Sequence, residues 1–231
     1  MNKEIDNRKE IQKLLQDIIS DNNEKDPLKK LIDLEKKYPN DIAIKQVISG
    51  KFLQSGKNDQ ALNYLKSALE MEPNNFSINY NLGILYRKFK KTNEAKDFFE
   101  KSISLNKDFK EGFNSLGDLY YEEGNFSKAN EYYTKSFNLD PGKTNIKHIG
   151  KLAESYFRLS TNSTNSDEIT KAKEFYLILN EIDPGNDIVL NNLIFIYNIM
   201  GQKDEAVLIE NQLNGSIIMN DNKNEVILKA K

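Results

Sequence analysis

The sequence predicts an all-α chain built from antiparallel helix pairs stacked one on the next. Three observations carry that prediction. Apolar residues recur at the helical period, the pattern returns every 34 residues, and glycines stand where one helix would end and its partner begin. The 231 residues suffice for one or two ordinary domains or a single repeat array.

The repeat is plainest between residues 78 and 141. Leu82-Gly83 falls on Leu116-Gly117, Tyr86 on Tyr120, Ala95 on Ala129 and Phe99 on Tyr133, each pair 34 residues apart. One step earlier stand Phe52, Ala61, Leu65 and Pro73, and Leu193, Tyr197, Gly201 and Ala206 repeat the pattern toward the C-terminus. A 34-residue period with Leu-Gly-x-x-Tyr, then Ala-x-x-x-aromatic, then Pro, resembles the tetratricopeptide repeat family across residues 42 to about 213. The chain has no tryptophan, often found early in such repeats, and Lys107 stands where neighbouring units put proline. The resemblance implies a right-handed superhelical solenoid, with a concave groove lined by the first helix of each unit.

Taken in order, residues 1–41 read as a degenerate N-terminal capping repeat. Ile11, Leu14, Leu15 and Ile18 form one apolar stripe, Leu28, Leu31 and Leu34 another, and Pro27 replaces the alanine. Residues 42–213 form the array. Its irregular unit, 144–186, carries the excess of STNSTNSDE (160–168), whose Ser, Thr and Asn favour a loop. Residues 214–231 read as a tail or capping segment.

Within each unit the chemistry follows the geometry. Gly56, Gly124 and Gly201 sit where a left-handed residue ends the first helix cheaply. Asp59, Asn93, Ser127, Thr170 and Asp204, each two residues before the alanine, are N-cap types and are expected to start the second helix. Gly83, Gly117, Ala95 and Ala129 keep side chains small where helices cross. Tyr86, Tyr120, Phe99 and Tyr133 are expected to fill the space between units, leaving Tyr121 and Tyr132 spare.

Composition closes off several function classes. Thirty-three basic against thirty-five acidic residues leave a net charge of -2, which gives no broad attraction to nucleic acid or to an anionic membrane. With no cysteine and one histidine, His148, thiolate sites and histidine-pair metal sites fail. No apolar run approaches the roughly 20 residues that span a bilayer, and the charged N-terminus lacks a signal peptide's apolar core, so a cytoplasmic protein is expected. Gly142-Lys143-Thr144 ends like a phosphate-binding loop, but Phe137 stands where that motif needs glycine, so it reads as a turn. No catalytic, cofactor or metal site is expected.

In the resembled family, ligand contacts come from inward positions of each first helix. The repeat register places Asn81, Asn114, Lys147, Lys151, Asn191 and Asn192 there, with Arg87 and Tyr121 near the rim. Asparagine can donate to and accept from a peptide backbone, and two lysines one turn apart suit a carboxylate or phosphate. Lys147, Lys151 and Asn114 resemble part of the clamp by which some family members hold acidic chaperone tails. Tyr80 and Ile84 replace the remainder. The expected function is a non-catalytic scaffold or adaptor that takes a protein segment, acidic if the lysines face it. Two alternatives stand beside it. One is an accessory subunit of a transferase or hydroxylase complex with catalysis on a partner chain. The other is self-association, in which Ile217-Ile218-Met219 or Val226-Ile227-Leu228 docks onto a groove.

Overall fold

A computed structural model describes residues 2–20, 26–161 and 166–221. Twelve α-helices and one short 3-10 helix account for almost all of these residues, with no strand among them. The helices are α1 (Asn2–Ser20), α2 (Pro27–Lys37), α3 (Ile42–Gln54), α4 (Asn58–Met71), α5 (Phe76–Lys88), α6 (Thr92–Leu105), α7 (Lys110–Glu122), α8 (Phe126–Leu139), α9 (Ile146–Ser160), α10 (Ser166–Ile182), α11 (Asp187–Ile199) and α12 (Lys203–Asp221). The 34-residue period is visible in the starts at Ile42, Phe76 and Lys110, and again at Asn58, Thr92 and Phe126. The fold is an all-α helical repeat.

The chain divides in the first turn of α7 into two compact units, residues 1–112 and 113–231. In the first unit, α3 packs on α4 and α5 on α6, and α2 and α4 join each pair to the next. Ile11, Leu15, Leu31 and Leu34 are buried with Ile44, Ile48, Phe52 and Leu65 in one core, so the N-terminal helices pack onto the first pairs of this unit. In the second unit, α9 packs on α10 and α11 on α12. Its core includes Leu116, Ile149, Leu152, Tyr176, Leu190, Leu193 and Ile196.

The close helix crossings have a steric cause. A Cβ on Gly83 would stand 2.5 Å from the Phe99 ring, and one on Gly117 would stand 2.6 Å from the Tyr133 ring. Phe99 and Tyr133 therefore fill their own hairpin. Tyr86 and Tyr120 do likewise, stacking on Phe98 and Tyr132 with interplanar angles of 13° and 4°. Tyr132, expected to be spare, is part of this packing.

Gly56, Gly124 and Gly201 adopt φ of 71°, 75° and 72°. The corresponding residue between α5 and α6 is Lys90, the only described non-glycine with positive φ, at 59°. The N-caps differ from expectation. Asp59, Asn93, Ser127, Thr170 and Asp204 all lie inside their helices, because each helix begins earlier than the pattern suggested. In α4, α6 and α8 the cap position is four residues before the alanine, where Asn125 accepts from the Lys128 amide while Lys57 and Lys91 offer no side-chain bond. The first helices are better supplied: Asp41, Asn75, Asn145 and Asn186 each accept from an amide of the following turn.

Pro141–Lys143 forms the 3-10 helix, so Gly142-Lys143-Thr144 belongs to an inter-helix turn. Of the expected loop at 160–168, Ser160 ends α9 and Ser166 to Glu168 open α10, while 162–165 lie outside the described residues. The side chains of Ile217-Ile218-Met219 and all of Val226-Ile227-Leu228 also lie outside them. No helix among the described residues is long and apolar enough to cross a membrane.

Candidate functional site

The second unit holds a well-formed concavity. Between α9 and α11 lies a cleft of about 520 Å³, with Tyr176 and Leu179 of α10 at its base. Both base residues are buried. Ile146, Gly150 and Phe157 contribute from α9, Ile188, Val189 and Asn192 from α11, and Lys147, Glu154 and Arg158 bring charge. Ile188 is 74% exposed, an unusual position for a large aliphatic side chain. The apolar stripe continues along α11 through Phe195 and Ile199, both more than half exposed. Phe157 meets Phe195 edge-on at 5.5 Å, which joins the two walls.

The α11 stripe follows from helical spacing. Ile188, Asn192, Phe195 and Ile199 fall at i, i+4, i+7 and i+11, one face of a helix. Lys147, Lys151, Glu154 and Arg158 occupy the same positions counted from the start of α9. The stripe on α11 is thus largely apolar and the matching stripe on α9 charged.

Beside the cleft, α7 and α9 are joined by a polar network. Lys151 Nζ and the Tyr133 hydroxyl each donate to Asp118 Oδ1 at 2.6 Å, and His148 Nε2 stands 3.9 Å from the same oxygen. Burial opposes the charge on Asp118. His148, Lys151 and Tyr133 outweigh that cost and hold its carboxyl well below the usual carboxylate range. Burial, then Asp118 beside it, pushes the Tyr133 phenol up. The Tyr121 hydroxyl donates to Glu154 Oε2 at 2.5 Å, and Arg158 donates to Glu154 Oε1 at 3.1 Å. Burial first, then Glu154, pushes Tyr121 up to about 12.

The residues singled out in the sequence therefore separate. Lys147 and Asn192 line the cleft. Lys151 and Tyr121 lie in the α7–α9 network, where Lys151 spends its ammonium on Asp118 and its side chain is only 18% exposed. Asn114 is buried in α7. Asn191 is exposed and donates back to the Asp187 carbonyl. Asn81 and Arg87 belong to α5 in the first unit, half-buried. Lys147 has no ion-pair partner among the described residues, so the two lysines differ sharply despite lying one turn apart. Asp118, Glu154, Phe157 and Ile188 were not singled out, although helical spacing from Asn114, Lys151 and Asn192 could have found all but Phe157.

The tetratricopeptide repeat model matches residues 52–114, and a second model of the same description matches residues 111–143. Residues 52–143 are tetratricopeptide repeats. None of the curated proteins matches it. Several solved structures share its fold. MamA is 21% identical with a TM-score of 0.64, covering 81% of this chain and 98% of that protein. YrrB is 16% identical with a TM-score of 0.66, covering 80% and 91%. PilF of Pseudomonas aeruginosa is 15% identical with a TM-score of 0.55, covering 76% of each.

Proposed function

We propose that this protein is a non-catalytic interaction scaffold whose second unit takes an apolar-anchored segment of another protein in the cleft between α9 and α11. The observation that carries this reading is Ile188, 74% exposed at the mouth of a cleft based on Tyr176 and Leu179. A side chain inserted there gains apolar burial at about 25 cal/mol per Å². YrrB is described as a TPR protein with an unusual peptide-binding site. Its likeness to this chain is one of fold, and the argument rests on the cleft.

The electrostatics refine the ligand. Lys151 is neutralised by Asp118 and Arg158 by Glu154. Neither is organised to wait for a carboxylate, and among the described residues lining the cleft Lys147 alone offers an uncommitted cation. The ligand is therefore anchored by aliphatic or aromatic side chains, with at most one acid facing Lys147 and with Asn192 bonding its backbone. Selection of peptides from a random library on the full-length chain tests this. Selected sequences should carry paired apolar residues and bind Ile188→Asp at least ten-fold more weakly. Acidic selected sequences that bind wild type and Ile188→Asp alike would overturn the reading.

A further inference from the structure

We propose that the cleft takes an aromatic side chain of the partner segment, seated over Gly150 in the place that the chain's own Tyr80 fills in the first unit. The inference rests on the cleft's role as a docking site and names the residue class that anchors there.

The first argument is that the cleft has a filled counterpart. Both α5 and α9 carry a leucine, a small residue and, three positions on, a tyrosine: Leu82-Gly83 with Tyr86, and Leu152-Ala153 with Tyr156. Counted from these markers, Ile146 and Gly150 stand where Phe76 and Tyr80 stand in α5. Counted from Ala95 and Ala172 in the second helices, Tyr176 answers to Phe99. Counted from Leu116 and Leu193 in the helices that follow, Asn186 answers to Phe109. In the first unit these four positions form an aromatic cluster. The Tyr80 ring lies 5.5 Å from Phe99 and 4.8 Å from Phe109, and Phe76 meets Phe109 at 5.0 Å. All three are separations at which ring pairs attract. In the second unit Ile146, Gly150, Tyr176 and Asn186 all line the cleft between α9 and α11. Glycine has replaced the central ring and asparagine one of its walls, while Tyr176 keeps the base.

The second argument is that the chain's own packing does not call for glycine at 150. A Cβ on Gly83, Gly112 or Gly117 would stand 2.5 Å, 2.6 Å and 2.6 Å from a neighbouring side chain, so contact forces glycine there. A Cβ on Gly150 meets nothing within 4 Å. Glycine in a helix interior is disfavoured by its backbone entropy, and what it gains is close approach by another group. Charge sets the neighbour of that group. Glu154, one turn after Gly150, is held by the Tyr121 hydroxyl and by Arg158. Lys147, one turn before it, lines the cleft uncommitted, so an acidic residue beside the aromatic one completes the fit.

The test selects peptides from a random library on the full-length chain. Each peptide, and its counterpart with the aromatic residue replaced by leucine, is titrated with full-length wild type, Gly150→Tyr and Ile188→Asp. Selected peptides should carry an aromatic residue, and their leucine counterparts should bind wild type about five- to ten-fold more weakly. Gly150→Tyr restores the ring within the chain itself. It should bind the peptides about ten-fold more weakly or worse, with a melting temperature no lower than that of wild type. Leucine counterparts that bind as well overturn the inference, and that comparison is made on wild type, whatever the fold of Gly150→Tyr. Peptides that bind a folded Gly150→Tyr as they bind wild type overturn it too. If such peptides still need Ile188, the scaffold reading stands. Indifference to both Gly150→Tyr and Ile188→Asp removes both. A wild-type dimer in sedimentation that Gly150→Tyr dissolves puts the ring in a second copy and overturns its assignment to another protein.

Discussion

Lys151 Nζ lies 2.6 Å from Asp118 Oδ1, which fastens α9 to α7 across 33 residues of sequence. Each side chain is less than one-fifth exposed. The pair gives the two neighbouring lysines opposite roles. Lys151→Glu would set a carboxylate against Asp118 and should destabilise the fold by about 2 kcal/mol or more, by uncompensated buried charge. Lys147→Glu changes an exposed side chain and should alter stability by less than about 0.5 kcal/mol. Urea unfolding of the two variants at pH 7 checks this, and equal losses would contradict the assignment.

The same network predicts acid sensitivity. The Asp118 pKa is lowered in the folded chain, so its contribution is complete above the unfolded carboxylate range, about 3.9. It is lost as pH falls through the folded value. Wild type should therefore lose stability more steeply than Asp118→Asn below about pH 4, after starting about 2 kcal/mol ahead at pH 7. Parallel curves from unfolding midpoints measured between pH 2 and 7 would contradict this.

At the alkaline end, Tyr64 and Tyr121 are both pushed up to about 12, by burial first and then by Glu35 and Glu154. Their hydroxyls donate to those carboxylates at 2.8 Å and 2.5 Å. Stability from these bonds is present below about pH 10 and lost as pH rises toward 12. Absorbance titration near 295 nm should show a late phenol class that shrinks by one in Tyr121→Phe. An unchanged late class would place Tyr121 in solvent.

Glycines with different surroundings predict opposite signs. Gly83→Ala drives a Cβ to 2.5 Å from the Phe99 ring and should cost about 1–3 kcal/mol. Gly50 lies within α3 with nothing within 4 Å of a built Cβ, so Gly50→Ala should stabilise by about 0.5–1 kcal/mol. Lys90 holds φ at 59°, so Lys90→Gly should stabilise by about 1 kcal/mol. Thermal melts of the three variants check all three signs.

What was legible in the sequence was whatever repeats. Leu82-Gly83 on Leu116-Gly117 gave the period, and that period placed the starts of α4, α6 and α8 to within two residues. The caps were misplaced because Asp59 and Asn93 suit the first turn of a helix as well as its cap. Only the backbone shows that Lys57 and Lys91 hold the cap position. The site was half legible. Lys147 and Asn192 follow from register, whereas the capture of Lys151 by Asp118 joins different repeats and leaves no mark in a local window. The exposure of Ile188 was hidden for a related reason: an aliphatic residue at an inward position reads as core until the neighbouring helix is known.

Hydrogen–deuterium exchange of the full-length chain, with and without a saturating library-selected peptide, tests the central claim most directly. The account predicts added protection in residues 146–161 and 186–199 and little change in the first unit. Protection confined to the first unit, or to α8 and α12 with the α9–α11 cleft unchanged, would contradict it.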